Sequence, residues 1–171
     1  MLIVFAGLPG TGKTTLAREF ARRRSAVHLR IDSFEQALRR ASPQAGDSAA
    51  GYAAAQAVAA DNLRLGHCVV ADAVNAAPEA RRGWAAVAAG ALVPCHWVEV
   101  VCTDRAEHRR RVEAREPDIA GHTLPRWDAI EAMAWTPLDG EVLRLDTAST
   151  PIAVNLAVLM QKWPGVQGWR P

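Results

Sequence analysis

Gly7-Leu8-Pro9-Gly10-Thr11-Gly12-Lys13-Thr14 is the stretch on which the fold turns. It completes a G-x-x-x-x-G-K-T pattern between an apolar run, Leu2 to Ala6, and a helical pattern over Thr14–Arg24. A short continuous apolar run is the signature of a strand buried on both faces. In the helical pattern Leu16, Ala17, Phe20 and Ala21 share one face, and Arg22, Arg23 and Arg24 read as dipole-favoured surface residues of the last turn. Glycines let the loop wrap with its N–H groups inward, and the helix N-terminus adds partial positive charge. Such a turn is built to cradle phosphates. This composition gives about 0.0007 chance occurrences of the octet, so coincidence is a poor explanation. Gly7, Leu8, Pro9, Gly10, Thr11, Gly12, Lys13, Thr14 and Thr15 are the candidate nucleotide-binding residues. Lys13 is expected on the β- and γ-phosphates, and the Thr14 hydroxyl on Mg²⁺.

Outward from the octet, strands alternate with helices. Val27–Ile31 reads as a second strand ending at Asp32, Ser33–Arg40 as a short helix, and 42–48 as a loop. Ala49–Leu65 is an alanine-rich helix closed by Gly66, and Cys68–Ala71 a third strand ending at Asp72. Pro78 opens a helix to about residue 89, and Cys95–Cys102 is the fourth strand. Asp104 caps a helix to about Arg115, Val142–Leu145 is a fifth strand, and Pro151–Gln161 the last helix. Residues 116–137 are mixed, with room for a helix over Pro125–Met133, and the tail from Trp163 reads as irregular. Trp127, beside apolar neighbours, reads as a core residue. The alternation implies a five-stranded parallel sheet with helices on both faces, an α/β class fold. Sites in such sheets lie beyond the carboxyl ends of the strands, where Gly7, Asp32, Asp72 and Thr103-Asp104 fall.

Half of the 171 residues are hydrophobic and 22% are charged, which suits one packed domain over residues 1–171. A net charge of +2 does not call for nucleic acid or an anionic membrane as partner. Cys68, Cys95 and Cys102 are odd in number and lack Cys-x-x-Cys spacing, so a reduced, cytoplasmic protein is expected. The first apolar run falls far short of the roughly 20 residues a membrane span needs and lacks a basic leader, so neither span nor signal peptide is expected. The chain has 18 arginines and two lysines. Lys13 thus stands where arginine, the default cation here, does not serve.

Three absences narrow the class. No Asn-Lys-x-Asp follows a later strand, and no strand ends in the Asp-Glu pair that activates water in motor ATPases. The length leaves no space for the helical lid domain of such motors. A small soluble kinase remains. Asp32, expected beside the phosphate-loop strand, can accept the proton of an acceptor hydroxyl as it attacks the γ-phosphate. Its plainer alternative is a helix N-cap.

Val69-Val70-Ala71-Asp72-Ala73-Val74-Asn75, followed by Glu79, Arg81, Arg82 and Trp84, resembles the polynucleotide-kinase-like and zeta-toxin-like P-loop kinases, among them AAA-type kinases of bacteria. Their third strand commonly reads V-V-x-D-x-(T/V)-N before an arginine-bearing helix. The resemblance covers about residues 1–115. It implies that Asp72 supports Mg²⁺ with Thr14, and that Asn75 and Arg81 or Arg82 face the acceptor. Arg111 and Arg115, spaced i,i+4 on one helix face, resemble the R-x-x-x-R pair of small kinases of this group. That likeness implies Arg111 near the adenine and Arg115 on the transferring phosphoryl, an arginine finger supplied in cis. An exposed basic face paired with Glu107 and Glu113 is the alternative. Asp146-Thr147 matches a stretch that passes near the adenine in related kinases. His108 and the cysteines receive no role.

The expected activity is transfer of the ATP γ-phosphate, with Mg²⁺, to a hydroxyl of a small acceptor. Lys13, Asp32 and Arg115 are the catalytic candidates, and Asp32, Arg39, Asn75 and Arg81 the acceptor-binding ones. Acceptor recognition is expected from residues 33–65 and 116–137, the latter inside a lid segment of about 104–137. A 5′-hydroxyl polynucleotide kinase is one rival, although it calls for a larger basic patch. A nucleotide-binding regulator or weak ATPase is the other, with Asp32 or Asp72 to activate water.

Overall fold

The computed structural model describes residues 1–42 and 48–164. The expected loop at 42–48 and the tail beyond Pro164 therefore fall largely outside the described residues. The elements are β1 Leu2–Ala6, α1 Lys13–Arg24, β2 Val27–Arg30, α2 Ile31–Ala41, α3 Ser48–Arg64 and β3 Val69–Asp72. They continue with α4 Pro78–Gly90, β4 Cys95–Val101, α5 Arg105–Ala114, α6 Trp127–Glu131, β5 Val142–Asp146 and α7 Ile152–Lys162. The five strands form one parallel sheet in the order β2-β3-β1-β4-β5. From β1 the chain crosses to β2 at the edge, returns to β3 between them, and then passes to β4 and β5 on the other side of β1, with helices on both faces.

β1 is wholly buried, and its alternation sorts the two cores. Ile3 and Phe5 pack with Leu16 and Phe20 of α1 and with Leu156 and Leu159 of α7. Leu2 and Val4 face Ala55 and Ala59 of α3 and Trp84 and Ala88 of α4. Burying each large side chain contributes about 1.5–3 kcal/mol, so these two layers fix the strand order. Asp104 caps α5 by accepting hydrogen bonds from the Ala106 and Glu107 amides, a stabilisation of about 1 kcal/mol.

Four expectations are corrected. β2 does not lie beside β1, because β3 stands between them. The physical reason is apolarity: every residue of β3 is buried, whereas β2 alternates and suits an edge. The backbone also leaves β2 at Arg30, so Asp32 sits in the first turn of α2. Within 116–137 the helix is only Trp127–Glu131, shorter than the sequence pattern predicts. Finally, Arg24 is no free surface residue, since it donates to the Met160 carbonyl at 2.6 Å; Trp163, irregular as expected, is buried with its ring edge-on to Phe20 at 6.4 Å. Arg24 thus ties α1 to α7, unlike the exposed Arg22 and Arg23, which pair with Glu19. Among the described residues no helix is long and apolar enough to cross a membrane.

Candidate active site

The phosphate loop is held in shape from outside. Gly7 has φ +149°, and a Cβ there would lie 2.3 Å from the Val100 carbonyl oxygen, so β4 admits only glycine. Gly10, at φ +88°, packs against α5, where a Cβ would meet Val112 at 2.5 Å. One turn earlier on α5, buried His108 places Nε2 2.8 Å from the Pro9 carbonyl. A carbonyl only accepts, so Nε2 carries the hydrogen. His108 is braced edge-on by Trp127, with ring centroids 5.2 Å apart. On the other flank Thr147 donates to the Thr11 carbonyl at 2.7 Å, while Thr11 donates to that of Leu8 at 2.9 Å.

Beneath the loop lies a buried charge. Lys13 Nζ and Thr14 Oγ1 both donate to Asp72 Oδ1, at 3.2 and 3.3 Å. His28 Nε2 stands 3.4 Å from Asp72 Oδ2, at ion-pair distance but without hydrogen-bond geometry. Burial by itself would raise the Asp72 pKa. The Lys13 charge, His28 and the Thr14 hydroxyl outweigh it and hold the carboxyl well below the usual carboxylate range. A hydroxyl and an ionised carboxylate side by side are hard oxygen donors. They fit Mg²⁺, which takes one or two carboxylates and draws its other ligands from phosphates and water.

Above the loop opens a cavity of about 480 Å³. Its floor is Leu8 to Gly10 and Gly12 to Thr15 of the loop. Its walls are Arg18 from α1, Arg30 and Asp32 from the β2–α2 junction, Val74 after β3, Arg111 from α5, Arg115 in extended backbone just after it, and parts of 116–133. Asp32 does not cap α2; its one hydrogen-bond partner among the described residues is Arg30, at 3.4 Å. Arg111 is anchored, donating to Glu107 at 2.7 Å and to the Thr147 hydroxyl and carbonyl at 2.9 and 2.8 Å. Arg115 is not: Nε and Nη2 are buried and have no hydrogen-bond partner among the described residues. Burial pulls its guanidinium below the ordinary arginine value, against the opposing pull of the Asp32 charge.

Other candidate residues serve the scaffold. Asn75 was expected to face the acceptor, but its side chain is fully buried and spent: Nδ2 donates to the Phe5 carbonyl at 2.8 Å, and Oδ1 accepts from Trp84 at 3.1 Å. Its φ of +53°, tolerated by asparagine, turns the chain away from β3. Arg81 is likewise no acceptor residue. It donates to the carbonyls of Asn75, Ala76, Thr136 and Pro137, stitching α4 to the segment before β5. Arg82 pairs with Glu79 at the surface, and Arg39 pairs with Glu35 at 3.3 Å, off the cavity. Asp146 holds Thr103 and the Ala148 amide, and Thr147 is buried; neither lines the cavity.

Sequence reasoning missed His108, Arg18, Arg30, Asp118 and His122. His108 had a usable signal, since it stands one turn before Arg111, at i and i+3 on α5. Asp118 and His122 lie in an irregular segment, where no periodicity points at them.

Comparison with known proteins follows this geometry. A family model described as an AAA domain matches residues 2–134. No curated protein matches the chain in sequence. Among solved structures, a sugar kinase from Janibacter superposes with a TM-score of 0.64 at 16% identity, covering 94% of this chain and 92% of that one. Kti12 from Chaetomium thermophilum, in complex with ADP-AlF3, gives 0.64 at 19% identity, covering 98% and 100%. The APS kinase of Mycobacterium tuberculosis, in complex with AMPPNP and APS, gives 0.60 at 22%, covering 94% and 95%. At such identities these structures establish the fold alone.

Proposed function

This chain belongs to the AAA-domain family, and from that premise we propose that it transfers the γ-phosphate of ATP to a hydroxyl of a small acceptor. The observation that carries the reading is convergence: Lys13, Asp32 and Arg115, from three separate elements, line one cavity on the phosphate loop. Kinases among the structural neighbours, one of them holding AMPPNP with its acceptor APS, support the same class.

Lys13 and the loop amides hold the β- and γ-phosphates. Asp32 accepts the hydroxyl proton of the acceptor while that oxygen bonds to the γ-phosphorus. The bond from the γ-phosphorus to the β-bridging oxygen breaks, and ADP leaves with the electron pair. Arg115, whose Nε and Nη2 lack partners, donates to the phosphoryl oxygens as charge develops. Arg111, anchored on Thr147, stands on the nucleotide side. Thr14 and Asp72 would hold Mg²⁺, which supplies charge neutralisation on the phosphates.

The test is a transfer screen with ATP and Mg²⁺ against pooled hydroxyl metabolites, aminoglycosides and 5′-hydroxyl oligonucleotides. Phosphorylated small acceptors are the expected products. Phosphorylated oligonucleotides alone would make the protein a polynucleotide kinase. ADP release with no phosphorylated product would make it an ATPase.

A further inference from the structure

The acceptor side of the cavity holds a cationic pair already occupied by the protein's own carboxylate. Arg30 lies at the end of β2, with its side chain only 16% exposed. Its Nη1 donates to Asp118 Oδ2 at 2.7 Å, and Nη2 to Asp32 Oδ2 at 3.4 Å. The same Asp118 oxygen lies 3.9 Å from Arg18 Nη1. Among the described residues Arg30 Nε is buried without a hydrogen-bond partner, as is His122 Nδ1, and both side chains line the cavity. Guanidinium nitrogens only donate and stay charged, so whatever completes this wall must accept hydrogen bonds and is best an anion.

Asp118 is a displaceable occupant. Its side chain is 51% exposed, and it hangs on the irregular stretch between α5 and α6. That stretch reaches α2 through Arg40, which donates to the Ala120 carbonyl. Arg30 holds the Asp118 carboxyl below its usual range, so at neutral pH Asp118 is an ionised oxyanion in an oxyanion's place. The seat also adjoins Asp32, so a hydroxyl brought to Asp32 puts its neighbouring substituent within reach of Arg30.

We infer that the acceptor carries an anionic group, a carboxylate or a phosphate, which seats on Arg30 and Arg18 in place of the Asp118 carboxylate. This rests on the kinase reading, which supplies the role of Asp32. Asp118 then acts as an internal competitor: it keeps two arginines neutralised while the site is empty and swings to solvent when the acceptor enters. An isolated surface pair yields readily to such exchange, and a ligand oxyanion gains two charge-assisted donors in a half-buried place.

The experiment saturates the full chain with AMPPNP and Mg²⁺, so that the phosphate loop cannot take the probe. Malonate or inorganic phosphate is then titrated by calorimetry. The expected result is weak binding to the wild type, about five- to tenfold tighter binding to Asp118→Asn, and at least tenfold weaker binding to Arg30→Gln. Preference for malonate assigns a carboxylate acceptor, and preference for phosphate a phosphorylated one. Arg30→Lys, which keeps the charge, guards against a folding defect in Arg30→Gln and should bind the probe between the two. Probe affinities that are equal in all variants, or absent even in Asp118→Asn, overturn the inference alone. Failure of AMPPNP to bind overturns the kinase reading and the inference with it.

Discussion

The two sides of the cavity are built by different physics. On the donor side, Lys13 and Asp72 pair in the interior at 3.2 Å, Asn75 is fully buried between Phe5 and Trp84, and His108 pins the Pro9 carbonyl from a neighbouring helix. On the acceptor side, Arg30, Arg18 and Asp118 meet near the mouth through partly exposed ion pairs, on an edge strand and an irregular stretch. Buried polar groups must be matched one for one, since an orphaned donor or acceptor costs about 1–3 kcal/mol. Half-exposed pairs carry no such obligation. The donor side is therefore rigid and the acceptor side adjustable.

Substitutions can break that contrast, and the largest effect belongs to Lys13. Lys13→Ala should abolish phosphoryl transfer and weaken binding of ATP with Mg²⁺ in calorimetry. The sequence predicts no loss of stability, because a phosphate-facing lysine stands clear of the core. The structure reverses this: Lys13 is only 8% exposed and neutralises a fully buried aspartate. Breaking such a pair costs on the order of 3 kcal/mol, so the melting temperature should drop, and Asp72→Asn in the same chain should restore part of it. An unchanged melting curve for Lys13→Ala would dissolve the distinction between the two sides.

Next comes Asp32. Asp32→Asn should lower single-turnover transfer by about 10²–10⁴-fold while ATP affinity changes little. Stability should hold as well, because Asp32 makes no capping hydrogen bond. A residual rate above about half of wild type would leave the cavity without an identified base.

A paired comparison sharpens the contrast in denaturant titrations. Asn75→Ala orphans the Phe5 carbonyl and the Trp84 indole N–H and should cost about 2–4 kcal/mol, with transfer per folded molecule preserved. Asp118→Ala should cost less than about 1 kcal/mol, because Asp118 and its partner Arg18 are half-exposed or more and Arg30 keeps Asp32 as a second carboxylate. Equal costs would mean that the acceptor wall is as tightly built as the donor one.

The smallest effect is in the acid range. The Asp72 carboxyl titrates below its unfolded value of about 3.9, so its stabilisation is complete above that value and is lost as pH falls through the folded one. Melting temperature should therefore fall on acidification below about pH 4, and less steeply in Asp72→Asn. Parallel curves for the two proteins would assign the acid sensitivity to other carboxylates.

The donor side was legible in the sequence because each part announces itself locally. The octet from Gly7 to Thr14 is a contiguous motif, the apolar run before it a continuous strand, and Arg111 lies in a periodic helix. Asn75 and Arg81 misled for a physical reason. Polar residues after a strand can turn outward to a ligand or inward to the backbone, and only packing against Trp84 and the 136–137 carbonyls decides it. The pairing of Arg30 with Asp118 was out of reach, since 88 residues separate partners that no repeat or motif connects. Strand order failed similarly: chain adjacency favoured β2 beside β1, and burial placed β3 there.

The place of β2 at the rim of the sheet has a consequence for divergence and design. Everything that β2, α2 or the 116–124 stretch adds to the cavity hangs on the border of the sheet. A border strand can change its side chains, and an irregular connection its length, without repacking the strands inside. The phosphate loop tolerates little change, while the rim has room to vary. Retargeting this protein would begin at Arg30 and the 116–124 stretch, and would leave Asp72 and Asn75 untouched.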